Sequence, residues 1–232
     1  MQNKNSNAAG HNIDMATLET EIRHAVAEGT HIQETVQHLT LKAMNADSLD
    51  FESLRRIVTA VMQGAHQGVN QQLQQTTNQT QTAKTQITET ITGLDSALAK
   101  FAEASKLAVE EAASRAQKYS DQELTRTRTD LESLEGLLLE TLQDAATATK
   151  GLVSDTLHDF INHAKRNGTA VGEQLKETLA IFAQQTASIG HDQLDVGTHL
   201  AHTTANLIRE IASGILTGIK DQHKSGETKK DA

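Results

Sequence analysis

The side chains in this chain that could do chemistry are histidines and carboxylates placed at helical spacing. His191, Asp195, His199 and His202 fall at i, i+4, i+8 and i+11, which puts them on one face of a helix. Asp195 with His199, or His199 with His202, could share a metal ion, because side chains three or four residues apart meet on a helix surface. A complete site draws ligands from a second element, and the sequence identifies none. Asp195, His199 and His202 therefore stand as candidate ligands on what reads first as a polar, partner-facing stripe. No cofactor is expected.

Glu21-Ile-Arg-His24 and Glu28-Gly-Thr-His31 have the Glu-x-x-His spacing that di-iron carboxylate bundles use. Such a site needs one pair on each of two helices, with further glutamates on two more. Here the pairs share one short segment with Gly29 between them, and His24, His31 and His38 recur every seven residues. Successive members of that series lie about 10 Å apart along a helix, too far to hold one ion. A solvated stripe is the simpler expectation. Nucleophile elbows, dinucleotide loops, phosphate loops and zinc-protease helices are all absent from the sequence. Tyr119, the sole tyrosine, falls at an expected helix end, and Glu110 and Glu111 are adjacent and diverge around a helix. The expected class is non-enzymatic.

The elements that must carry these residues are written in the composition. The 232 residues include no proline, cysteine or tryptophan, and 2% are aromatic. A chain of this length ordinarily carries roughly a dozen prolines. Proline inside a helix costs about 3 kcal/mol, so its absence points to long uninterrupted helices. At 37% hydrophobic residues, the core must be built from Leu, Ile, Val and Ala along narrow seams. The net charge of −9 argues against nucleic acid, whose phosphates need clustered cations. Lys220, Lys224, Lys229 and Lys230 are interrupted by Asp221, Glu227 and Asp231, and read as a solvated tail. No apolar run reaches the ~18 residues of a membrane span. A polar start and absent cysteine suit a reducing, cytoplasmic setting.

Hydrophobic periodicity predicts an all-α fold: an elongated antiparallel bundle of long amphipathic helices, coiled-coil-like, behind a short N-terminal helical module. The expected map is a disordered lead at 1–12, the module at 13–68, the bundle at 69–222 and a disordered tail at 223–232. Leu18, Ile22 and Val26, then Ile32, Val36 and Leu39, then Leu54, Ile57, Val58 and Val61 are the module's stripes. The Gln- and Thr-rich stretch 70–90 is read as a polar-surfaced helix, weakest at 76–82. Breaks are expected near 119–121, where Ser120 and Glu123 have capping-box spacing, and near 166–168, where Lys165-Arg166-Asn167 precede Gly168. They divide the bundle into three segments of similar length, as an up-down-up arrangement requires. Glycine pairs at 64/68, 168/172 and 214/218 would let helices approach closely.

An eleven-residue texture runs through Ile87, Leu98 and Val109, through Leu138, Thr149, Phe160, Val171 and Phe182, and through Ile189, Leu200 and Ile211. That period favours near-straight helices. With the long stripe from Ile87 to Ile219 and mild faces such as Ala112-Ala113 and Ala145-Ala146, the chain resembles granule-coating phasins and apolipoprotein-like helices. The resemblance implies a non-catalytic bacterial protein coating a hydrophobic polyester or lipid surface. The chain also looks somewhat like desiccation-protective proteins with eleven-residue repeats. The leading functional expectation is a self-associating scaffold, a homo-oligomer or a binder of a protein partner. A phasin-like coat is the first alternative, and a metal-binding helical bundle is the second. Leu200, Leu207, Ile208, Ile211, Ile215 and Ile219 are the expected surface- or partner-binding residues.

Overall fold

The structure, a computed structural model, describes residues 14–46, 51–75, 80–114 and 121–189. Regular structure among them is entirely helical: α1 (Met15–Glu28), α2 (Ile32–Ala46), α3 (Phe51–Gln75), α4 (Thr80–Ser114), α5 (Asp121–Glu132), α6 (Leu134–Ala148), α7 (Leu152–Asn167) and α8 (Ala170–Ile189). The all-α class follows from the proline-free, period-3.6 sequence. Three of the breaks follow from glycine. Gly29 ends α1 at φ 73°, Gly151 precedes α7 at φ 66°, and Gly168 ends α7 at φ 82°, all backbone conformations that side chains disfavour.

Three helical hairpins stack on one another: α1 with α2, α3 with α4, and α5–α6 with α7–α8. Their register can be followed through named contacts. Gly64 lies against Glu19 and Ile22, and Gly68 against Arg23 and Val26, so α3 runs parallel to α1. Gln86 donates from Nε2 to the Val26 carbonyl at 2.8 Å, and Gly93 lies against Gln33 and Val36. The start of α4 therefore tracks the end of α1 and continues down α2. Lys84 pairs with Asp159 at 3.1 Å, Asp95 reaches Ala170 and Val171, and Thr178 donates to the Ala102 carbonyl at 3.2 Å. A nearly constant offset carries α7 and then α8 along α4 in parallel. On the other side α6 turns back at 149–151, where the Ser154 hydroxyl donates to the Ala146 carbonyl at 2.8 Å.

One core joins all three hairpins, from Leu18 and Ile22 through Ile57, Ile91 and Leu98 to Leu138, Leu157 and Phe182. Among the described residues the stripes read from the sequence are buried in it almost throughout; Leu73, in the polar stretch after Val69, is 36% exposed. Threonine supplements the aliphatics. Thr90, Thr141, Thr156 and Thr178 are buried, and each returns its hydroxyl proton to the carbonyl four residues earlier at 2.7–3.0 Å. That bond satisfies the hydroxyl inside its own helix. It lets a chain of low hydrophobicity close a core.

Three expectations need correcting. The boundary at 68/69 falls inside α3, and α2 packs on α4, so residues 13–68 share one core with the helices after them. The stretch 70–90 is not one helix: α3 ends at Gln75 and α4 starts at Thr80, with Gln72 and Gln86 both beside Gly29, so the chain reverses there. Nor are there three long segments of equal length. Ser133 separates α5 from α6, and Gly151 turns α6 back into α7, because a glycine at positive φ ends what the apolar spacing alone would continue. The break at 166–168 lies where it was expected; α5 begins at Asp121, and residues 115–120 lie outside the described residues. Among the described residues no helix is long and apolar enough to cross a membrane.

Candidate functional site

The most chemically loaded point of the bundle is the start of α8. Gly168 ends α7, and Thr169 opens the next helix as its N-cap, accepting from the Gly172 N–H at 2.9 Å. The carbonyl of Thr169 takes the Glu173 N–H at 3.0 Å. The two N–H groups between have no partner within α8, as at any helix start. They are met from across the seam by Asp95 of α4. Its Oδ2 accepts from Ala170 N at 2.8 Å and its Oδ1 from Val171 N at 2.9 Å. From α6, Glu135 Oε1 accepts the Thr169 hydroxyl proton at 2.7 Å. A side chain at position 172 would collide with the Glu135 carboxylate, so only glycine fits there without displacing it.

Asp95 is 6% exposed. Burial pushes its carboxyl pKa up; the Val171 and Ala170 N–H groups pull it back by favouring the charged form, and Glu135 adds a smaller upward push. The positive end of the α8 dipole sits at the same point. Both Asp95 oxygens are engaged by backbone donors, so the pair clasps a helix end and leaves no free base in the Asp95 carboxylate. Sequence reading passed over all three residues. Asp95 was nonetheless legible as an acid on the stripe of Ile91, Leu94, Leu98 and Ala102, where charge is seldom buried unpaired. Thr169 directly after Gly168 was a stop followed by a start.

Of the residues singled out for chemistry, those among the described residues are not assembled. His24, Glu28, His31 and His38 are exposed and Glu21 is half-buried; His31 pairs with Glu34 at 3.3 Å on the surface. Neither Glu-x-x-His pair faces inward as a di-iron site demands. Among the described residues no group of three or more His, Asp or Glu could hold a metal ion. Asp195, His199 and His202, with Leu200, Leu207, Ile208, Ile211, Ile215 and Ile219, lie outside the described residues, as do Tyr119 and the pair Gly214/Gly218. Gly64 and Gly68 do bring α1 and α3 together, as their spacing implied. Gly168 does not serve that end: it has nothing within 4 Å of its missing Cβ, and it terminates a helix.

No curated protein and no solved structure matches the chain. A family model does match, over residues 8–225, and its family is described only as one of unknown function. The chain is a member of that family, DUF6781.

Proposed function

We propose that this chain is a non-catalytic helical scaffold that associates, with itself or a protein partner, through its C-terminal amphipathic stripe. The observation that carries this reading is how completely the hairpins consume their own apolar surface. Among the described residues only Leu73 and Leu107 are large hydrophobics with substantial exposure, at 36% and 41%. Such a body has little apolar area left to offer a partner. The stripe of Leu200, Leu207, Ile208, Ile211, Ile215 and Ile219 is the sequence feature that remains for association. The test is light scattering on the full chain and on Leu207→Glu with Ile211→Glu. An oligomer that the double substitution dissociates supports the reading; a wild-type monomer at all concentrations refutes self-association and leaves only a heterologous partner.

A phasin-like coat is the second reading, and the α4–α8 seam favours it. That seam carries small and polar side chains, Ala102, Thr178 and Asp95, among its apolar ones. Parting it would free Val171, Leu175 and Phe182 for a neutral apolar surface. Flotation of the full chain with neutral lipid droplets or polyester granules, lost on the same double substitution, would favour the coat over the scaffold.

A further inference from the structure

The joint between α7 and α8 has a second property, independent of what the protein binds. Asn167 is the last residue of α7, and Gly168 follows it. In an Asn-Gly pair the glycine nitrogen, unhindered by a Cβ, can attack the asparagine side-chain carbonyl. In the folded joint both reacting groups are engaged elsewhere. The Gly168 N–H donates to the Ala164 carbonyl at 2.7 Å. The Asn167 amide points back along α7, donating to the His163 carbonyl at 3.2 Å with the His163 ring nitrogen Nδ1 at 3.0 Å. Arg166 Nε donates to the Asn162 carbonyl at 3.1 Å and holds the same turn.

We propose that Asn167–Gly168 is a self-modification site, gated by the last turn of α7, that irreversibly loosens the joint to α8. The chemistry needs only water. When the turn opens, Gly168 N loses its proton to solvent and bonds to Asn167 Cγ. The bond from Cγ to Nδ2 breaks, and nitrogen leaves as ammonia carrying that proton equivalent. Water then opens the resulting succinimide at either carbonyl, giving aspartate or isoaspartate. Atoms balance as asparagine plus water to the acid plus ammonia, with no redox change.

Either product resists reclosure. A new carboxylate sits at the negative end of the α7 dipole, where Lys165 and Arg166 had been favourable. Isoaspartate also lengthens the backbone by one methylene, so Gly168 N–H can no longer return squarely to Ala164. One residue further on stands Thr169, the N-cap of α8 held by Glu135, with Asp95 on the two N–H groups after it. Loosening at 168 is thus delivered directly to the clasp.

The gate makes a quantitative demand. A reaction confined to the open state runs in proportion to the open population. The full chain, incubated in neutral to mildly alkaline buffer, is followed by released ammonia and by peptide mapping of the 163–172 region. The same is done in urea. Conversion at Asn167 is expected to be about tenfold or more slower folded than unfolded. It should speed up in folded His163→Ala, which loses one anchor of the amide, and in Asp95→Ala, provided circular dichroism shows that variant still helical. Equal rates folded and unfolded, or a folded rate untouched by both variants, would overturn the gate. For the loosening, hydrogen exchange at 168–173 is compared between wild type and Asn167→Asp, and between unmodified and converted protein. Faster exchange in the converted forms is expected; unchanged exchange overturns the release.

Discussion

Alanine substitution at the helical glycines should split by sign, and the split follows from what each new methyl group would meet. A Cβ at Gly64 would stand 2.5 Å from the Glu19 carbonyl oxygen and 3.0 Å from Ile22 Cβ. At Gly68 it would stand 2.7 Å from the Arg23 carbonyl oxygen, and at Gly93 2.5 Å from that of Gln33. These are backbone atoms, so relief requires the helices to move apart. Overpacking of this kind costs about 1–3 kcal/mol, against a gain of up to ~1 kcal/mol from replacing a helical glycine. Net destabilisation of about 1–2 kcal/mol is expected at each of the three. Gly136 is the internal control, because it lies in α6, exposed, with nothing within 4 Å of its missing Cβ. Gly136→Ala should raise stability by up to ~1 kcal/mol. Gly172→Ala falls between, since the Glu135 carboxylate can swing away at the expense of its bond to Thr169. Urea unfolding followed by circular dichroism reads the series, with the melting temperature shifting by ~2–4 °C per kcal/mol in a chain of this size. If Gly64→Ala and Gly68→Ala prove as stable as Gly136→Ala, α1 and α3 do not approach as described, and their parallel register is wrong.

Two further outcomes are expected. Because the folded pKa of Asp95 is raised, the folded chain holds that proton to higher pH than the unfolded chain, whose aspartates titrate near ~3.9. Its contribution to stability therefore falls as pH rises from about 4 to the raised folded value and is flat above it. Asp95→Asn should remove that slope, and identical pH profiles for the two proteins would refute the assignment. Phe182→Ala, emptying the space of a ring 1% exposed on α8, should cost about 3–5 kcal/mol in the same urea assay; a loss under ~1 kcal/mol would mean that α8 is not packed on the core.

Fold class was legible because it depends on local quantities. Missing proline and apolar residues at i, i+3 and i+4 fix helices whatever their partners, and Leu18, Ile57, Leu98 and Leu138 lie buried where their spacing put them. Reversals were less legible where no glycine marked them. Around 76–79 the sequence is Thr-Thr-Asn-Gln, and a polar helix and a turn read alike there; the neighbours that decide, Gly29 beside Gln72 and Gln86, are far away in the chain. At Gly151 a visible glycine was outweighed by the apolar spacing on both sides. The clasp was least legible, since Asp95, Glu135 and Thr169 are brought together by packing alone. An acid on an apolar stripe signals that some partner exists, but the partner is a backbone and has no sequence signature.

The same clasp answers a problem that the repeat creates. Helices with apolar positions at eleven-residue spacing can slide past one another by eleven residues, about 16 Å, and still meet apolar side with apolar side. Along α4 the side chain at the Thr178 contact is that of Ala102, small and apolar, which discriminates poorly between registers. Asp95 discriminates sharply. Two adjacent free N–H groups exist only at a helix start, and one register brings those of Ala170 and Val171 within 2.9 Å of the carboxylate. At any register displaced from it, Asp95 would face a helix whose N–H groups are already taken, leaving a buried charge unpaired at a cost of several kcal/mol. Glu135 acts in the same direction from α6, since its carboxylate lies over Gly172, where a Cβ would force it to move off its bond to Thr169. A group whose burial is unfavourable in itself thus selects one alignment among several that hydrophobic contact alone would leave nearly equal.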